Sequence, residues 1–340
     1  MRLSILIPMY NAQSYIERCL KSVLEQDIPK SDYEIIVYDD GSTDGSKDIV
    51  TGLTETFNNI RLYSNKNEGV VKVRNKLLSL AKGSYVYFID ADDYIAHNML
   101  GKIIEFSLNN NIDVFGFHTR VTNDENLFSE DKSFVDYELP KIISGSQYLK
   151  ENKDLRLEIW WYIARRDYLV EKKHCFDEKV TGYDGDVVFT YRLFIFASRV
   201  AYSPVSVYRY FQSPESTMRT KTQSFKKRIA EYFLALIFDL ENFITSLEHL
   251  SIAHKDIIIE HIKSRRDSFV FFTIIKMIRA RFGINTFKKN ISALTNIGVY
   301  PIQYFMCNKY NTFKYRMLNY ILNNRFLLFT MVRIHHMVTK

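Results

Sequence analysis

Apolar and polar positions over the first 120 residues follow two alternating rhythms. Short, nearly continuous apolar runs, LSILIP (3–8), YEIIVY (33–38), IRLY (60–63) and YVYFI (85–89), have the length and the β-branched or aromatic content of strands. Between them, Ile16, Cys19, Leu20, Val23 and Leu24 recur at helical spacing after Ser14, and Glu17 completes a capping-box pattern. Residues 47–57 and 70–80 read as two more helices. Strands alternating with helices in this way describe βαβ units and a parallel sheet. Further along, the pattern predicts helices at 99–109, 146–152, 165–173 and 187–197, strands at 112–120 and 201–211, and loops over 123–144 and 213–222. From Lys226 the rhythm changes. Ile229, Phe233, Leu236, Ile237, Leu240, Phe243, Ile244 and Leu247 mark an amphipathic helix of about six turns. Residues 253–281 repeat the pattern, and the last 29 residues read as helical, aromatic and basic. The expected organisation is an α/β domain over 1–222 and a helical region over 223–340.

Composition supports a well-filled core: the chain is 46% apolar and 15% aromatic, with 12 Gly and 6 Pro in 340 residues. Cys19, Cys175 and Cys307 are odd in number and have neither zinc nor disulfide spacing, which predicts reduced thiols of a cytoplasmic protein. His97, His118, His174, His335 and His336 show no metal-ligand spacing either. The apolar run at the N-terminus is too short for a signal peptide or a membrane span and reads as a first strand. Charge adds a second division. After Asp267 there is no Asp or Glu, whereas the same stretch holds 11 Lys and Arg against a net charge of +7 for the chain. An anionic partner is therefore expected for the tail. Its longest apolar run, FLLFTMV, is far below the ~20 residues that span a bilayer. Peripheral contact with an anionic membrane is the favoured expectation. Nucleic acid is not, because no recognition motif accompanies the charge. Contact with an acidic partner or a second subunit, a homo-oligomer, is the other reading.

Chemistry-bearing residues fall where the predicted strands end. PMYN (8–11), DDGSTDGS (39–46), NEGVVKVRN (67–75) and FIDADDY (88–94) follow four consecutive strands and should meet at the carboxyl edge of one sheet, where open α/β folds bind ligands. Asp90, Asp92 and Asp93 close a continuously apolar strand. Clustered carboxylates repel one another unless a cation holds them, and a hard divalent ion suits oxygen ligands.

These motifs, SILIPMYNAQSYIERCLKSVLEQ, EIIVYDDGSTDGS, NEGVVKVRN and AKGSYVYFIDADD in that order over residues 3 to about 100, resemble family 2 glycosyltransferases of the GT-A fold. A looser match covers WWYIARRDYLVEKKHCFDEKVTGYDGDVVFTYRLF (160–194). The resemblance implies a Rossmann-like, mostly parallel sheet with helices on both faces, a nucleotide-sugar half over 1–100 and an acceptor half over 101–222. It implies inverting transfer from a nucleotide-diphosphate sugar, UDP in the first instance, to a glycan or lipid-linked hydroxyl in cell-surface polysaccharide synthesis, at the inner face of the cell membrane. By the same resemblance Pro8, Tyr10 and Asn11 line the nucleoside pocket, and Asp40, with Asp39 beside it, takes the base ring NH. Arg74 and Asn75 contact base or phosphates. Asp90, Ala91 and Asp92 form the DxD, with Asp92 and Asp90 as ligands of Mg²⁺ or Mn²⁺. Asp93 and Trp160 stand on the acceptor side, and Asp186 is the base. The family places that base in a Glu-Asp pair, whereas Gly185 precedes Asp186 here, with Asp184 one residue earlier. Phe211 stands where the family has an Arg, leaving Arg209 or Arg219 to hold the diphosphate.

Each of these residues also has a structural reading: Asp39 and Asp40 as turn formers, Asp186 as a helix cap, Trp160 as core. Two rival functions remain open. A nucleotidyltransferase would carry a Gly-rich basic loop after the first strand, which PMYNAQSY lacks. A catalytically impaired, membrane-docked partner of another transferase is motivated by Gly185.

Overall fold

The computed structural model describes residues 1–130, 132–179, 184–212, 222–303 and 312–338. The predicted loop at 213–221, with Arg219, lies outside them. The chain divides into two compact units, Met1–Glu178 with Asp184–Pro214 and, for the rest, principally Glu215–Lys340.

The first unit is built on one eight-stranded sheet in the order β3-β2-β1-β4-β7-β6-β8-β5. β1 (Leu3–Met9), β2 (Tyr33–Asp39), β3 (Ile60–Ser64) and β4 (Tyr85–Phe88) are mutually parallel. β1, β2 and β4 are buried almost throughout, as continuously apolar strands must be. α1 (Ile16–Leu24), α2 (Ser46–Thr56) and α3 (Val70–Leu80) connect them. The register sets Met9 beside Asp39, Asp39 beside Ser64 and Leu6 beside Phe88, so the four motif-bearing ends share one edge.

Beyond β4 the sheet is mixed. β5 (Tyr94–Ile95), α4 (Leu100–Asn109), β6 (Val114–Thr122), α5 (Gly145–Glu151), β7 (Tyr162–Arg165), α6 (Arg166–Glu171), α7 (Asp186–Phe196) and β8 (Val200–Phe211) follow in order. β7 lies antiparallel between β4 and β6, and β8 runs parallel to β6. β5 and β7 are absent from the sequence expectation; both are short and take their hydrogen bonds from distant segments. The predicted capping box at Ser14 does not form. Helix α1 starts after Tyr15 with no side-chain cap, and the Ala12 carbonyl accepts the N–H groups of Tyr15 and Ile16 instead.

The second unit contains α8 (Gln223–Glu248), α9 (Lys255–Arg279), α10 (Ile284–Asn296), α11 (Phe313–Asn323) and α12 (Arg325–Val338). Its core gathers Leu234, Ile237, Phe271, Ile274, Met277, Phe287, Tyr300, Leu322, Leu328 and Val332. A buried Arg266 pairs with Asp267 and Glu241, and the second Asp267 oxygen accepts the Gln303 N–H at 3.0 Å. The tail read as helical holds two helices: Asn324 leaves the helical conformation and its side chain accepts the Leu327 N–H at 3.1 Å. No helix among the described residues is long and apolar enough to cross a membrane.

Candidate active site

The turn after β2 is fixed by its own side chains. Asp39 accepts the Ser42 N–H at 3.0 Å, and Gly41 adopts φ +78°, where a Cβ would lie 2.9 Å from the Asn67 nitrogen. Asp40 is buried, and its two oxygens accept the N–H groups of Glu68 and Gly69 at 2.9 and 3.0 Å. A carboxylate is favoured there, at the start of α3, by the helix dipole. Asn11, at φ 49°, accepts the Thr43 N–H at 2.8 Å, which ties the β1 turn to the β2 turn. Pro8 is half-buried, and the Tyr10 ring stands 52% exposed beside this frame.

Arg74 projects from α3 and is 4% exposed. Its guanidinium pairs with the Asp186 carboxylate, donates to the Asp184 carbonyl at 2.8 Å and lies 3.9 Å from the Asp90 carboxylate. The structure thus joins two residues expected on opposite sides of the chemistry through a cation expected on the nucleotide. Asp186 opens α7, and Gly185 before it takes φ +77°. Burial is the main force on both carboxyls, opposed by Arg74: Asp186 is pushed up to about 8 and Asp90 to about 7. Neighbouring carboxylates add to the rise in both, Asp184 and Asp90 at Asp186, Asp92 and Asp184 at Asp90. About a third of the Asp90 side chain still meets solvent, so its carboxylate can be reached from outside.

The other expected site residues divide by orientation. Asp92 is exposed at the edge, whereas Ala91 and Asp93 are buried. Asp93 points inward. It accepts the Tyr208 hydroxyl at 2.5 Å and the Phe211 N–H at 2.7 Å, and burial raises its pKa far above the usual carboxylate range. Asn75 is turned away too, bonded to both backbone groups of Phe176 and to Glu178. Arg209 is fully buried and holds Leu127, Ser129, Ser206 and Glu130; strand alternation puts it on the face of β8 opposite Tyr208. Trp160 is 4% exposed and stacks on Tyr208 at 4.5 Å and Tyr210 at 5.7 Å.

One face of α1 holds the acidic loop, a feature that the sequence reading missed. Arg18 donates to the Asp92 carbonyl at 2.8 Å, with its guanidinium over the rings of Phe211, Tyr94 and Tyr15 at 4.0, 4.8 and 5.6 Å. Ser22 accepts the Ile95 N–H, and Gln26 donates to the Ala96 carbonyl. The polar recurrence of Arg18 and Ser22 along α1, continued by Gln26 just beyond its end, was the available signal.

Among the described residues no three His, Cys, Asp or Glu side chains assemble a complete metal cage. Asp90 and Asp92 nevertheless fit a hard divalent ion, since Mg²⁺-type ions are held by one or two carboxylates with substrate phosphates supplying the rest. At Asp90 the neighbouring Arg74 lowers the pKa, but burial and the nearby carboxylates outweigh it.

Several known proteins are similar to this chain in sequence or in fold. The model of the family described as glycosyl transferase family 2 matches residues 4–172. An uncharacterized glycosyltransferase of Haemophilus influenzae is 31% identical over 176 residues, covering 49% of this chain and 68% of that protein. The poly(ribitol-phosphate) β-N-acetylglucosaminyltransferase TarS of Staphylococcus aureus is 27% identical over 274 residues, 79% of this chain and 45% of the relative. The crystal structure of TarS 1-349 in complex with UDP-GlcNAc superposes with a TM-score of 0.67 at 23% identity, over 87% of this chain and 80% of that one. The mannosyltransferase PcManGT of Pyrobaculum calidifontis, in complex with GDP-Man and Mn²⁺, shares the fold at a TM-score of 0.56 and 16% identity, over 100% of this chain and 88% of that one. Across four curated relatives the chain spans from 26% to 65% of the relative's own length.

Proposed function

The chain belongs to glycosyl transferase family 2, and from that premise we propose that it transfers a sugar, with inversion, from a nucleotide diphosphate to a hydroxyl of a glycan or lipid-linked acceptor. The observation that carries this reading is the Asp90–Arg74–Asp186 constellation at the carboxyl edge of the sheet. It sets one carboxylate at the end of β4 and another at the start of α7 around one cation. Asp186 takes the proton from the acceptor hydroxyl as that oxygen bonds to the anomeric carbon. The bond from that carbon to the diphosphate oxygen breaks, and its electron pair leaves with the nucleotide. A raised pKa suits a base that works near neutral pH. Arg74 orients Asp186 and keeps positive charge beside Asp90. Mg²⁺ or Mn²⁺, held by Asp90 and Asp92, would supply Lewis-acid stabilisation of the departing diphosphate. Pro8, Tyr10 and Asn11 border the nucleoside, with Asp39 and Asp40 setting the turn against which it rests.

The TarS complex with UDP-GlcNAc favours a UDP-sugar donor, and relatives named for poly(ribitol-phosphate) glycosylation favour a cell-surface polymer as acceptor. An acceptor made on a lipid places the enzyme at the inner face of the cell membrane.

The test is a panel of UDP- and GDP-sugars with and without Mn²⁺, read by thermal shift and by release of nucleoside diphosphate. The right donor should raise the melting temperature, and Asp186→Asn should lower turnover about 10²–10⁴-fold with donor binding retained. Pyrophosphate as the product would point to a nucleotidyltransferase, and absence of any donor turnover to an inactive partner protein.

A further inference from the structure

The last two helices of the second unit carry apolar residues on two opposite faces. In α11, Leu322 is buried and Tyr315 and Leu318 pack on the unit's core. On a helix of 3.6 residues per turn Phe313, Met317 and Tyr320 fall on the opposite side, and they are 83%, 51% and 67% exposed. In α12, Leu328 and Val332 are buried, whereas Phe326, Ile334 and Met337 are 78%, 51% and 66% exposed. A helix with one apolar stripe needs one contact. These two helices have a second stripe, and among the described residues nothing covers it.

Charge decides what covers it. Lys314 and Arg316 are exposed and border the bare stripe of α11 on either side, and the exposed Arg333 borders the stripe of α12 beside Phe326, on the side away from Ile334. From Ser268 to the end the sequence has no carboxylate side chain. Twofold pairing with a second copy would set this cationic face against itself. Aromatic and Met side chains at the centre with Lys and Arg at the border are the arrangement of a helix that lies in a lipid headgroup layer.

We propose that the α11–α12 face docks on a bilayer rich in anionic phospholipid. Phe313, Tyr320 and Phe326 enter the acyl boundary, and Lys314, Arg316 and Arg333 bind headgroup phosphates. This deepens the membrane-side placement of the proposed function and rests on that reading for its purpose; the surface itself is read from α11 and α12.

The full chain is sedimented with vesicles of phosphatidylcholine alone and of phosphatidylcholine mixed with phosphatidylglycerol. Binding is expected to the mixed vesicles only, weakening as salt rises. Phe313→Ser with Tyr320→Ser and Phe326→Ser should lower it at least about tenfold, as should Lys314→Glu with Arg316→Glu and Arg333→Glu. All six positions are exposed, so both variants should melt as the parent does and keep donor turnover on a soluble acceptor. Equal binding to neutral vesicles, binding to neither kind, or a solution dimer that these substitutions dissociate overturns the proposal. If vesicle binding behaves as stated while no nucleotide sugar is turned over, the transferase reading alone fails.

Discussion

At the scale of single residues, Arg74 shows where local pattern stops informing. Its pairing with Asp186 spans 112 positions, and nothing near either residue announces it. Asp93 was no more legible. Ala91 and Asp92 form a turn that the Asp93 N–H closes on the Asp90 carbonyl at 3.1 Å, and Asp93 is turned inward by Tyr208 and Phe211, 115 and 118 positions away. The missing Glu at 185 also has a local reason. Gly185 sits at φ +77°, and a Cβ there would lie 3.3 Å from the Phe176 ring, so an acidic residue would meet both strain and crowding. His174 carries a pH prediction. It is buried against Tyr168 at 3.0 Å, and burial, with Arg192 and Lys172 nearby, lowers its pKa from 6.5 to about 4. Between those values the unfolded chain binds a proton that the folded one refuses. Stability is therefore full above pH 6.5 and should fall by about 3 kcal/mol as the pH drops to 4. Urea midpoints measured across this range should lose part of their acid slope in His174→Gln; an unchanged slope would refute the assignment.

Elements reveal a different boundary between the legible and the hidden. β1 to β4 and their helices could be read because each is an uninterrupted apolar run or a clear helical period closed by turn residues. β5 and β7 could not, since a strand of two or four residues exists only where a neighbour supplies its ladder. The grip of α1 on the loop after β4 depends on Gln26, which is buried and bonds four backbone groups. Its nitrogen donates to the carbonyls of Ser22 and Ala96, and its oxygen accepts the N–H groups of Met99 and Leu100 at the start of α4. Gln26→Ala orphans the buried Ala96 carbonyl and two helix-start donors, at an expected cost of about 2–4 kcal/mol in the free energy of urea unfolding. A loss below about 0.5 kcal/mol, the range of an ordinary surface change, would mean that water replaces the side chain.

For the whole molecule, charge alone showed that the stretch after Asp267 is purely cationic, but not where the units divide, since Glu241 and Asp267 belong to the helical one. The second apolar stripe on α11 and α12 emerged only once their packed sides were known. The mixed sheet has a consequence of another kind, for synthesis. Parallel pairing joins β4 to β1, but its other edge waits for β7, about seventy residues later in the chain. A nascent chain that has cleared the ribosome only as far as residue 100 therefore exposes a bare, apolar strand edge at Tyr85–Tyr87, the kind of surface that recruits other chains. Expressed alone, residues 1–100 should collect in inclusion bodies, whereas residues 1–214 should stay in the supernatant after lysis; equal recovery of both would contradict this. The motifs at the ends of β1 to β4 lie early in translation, yet the strand that leads to Asp90 and Asp92 is sealed only once residues 162–165 have been made.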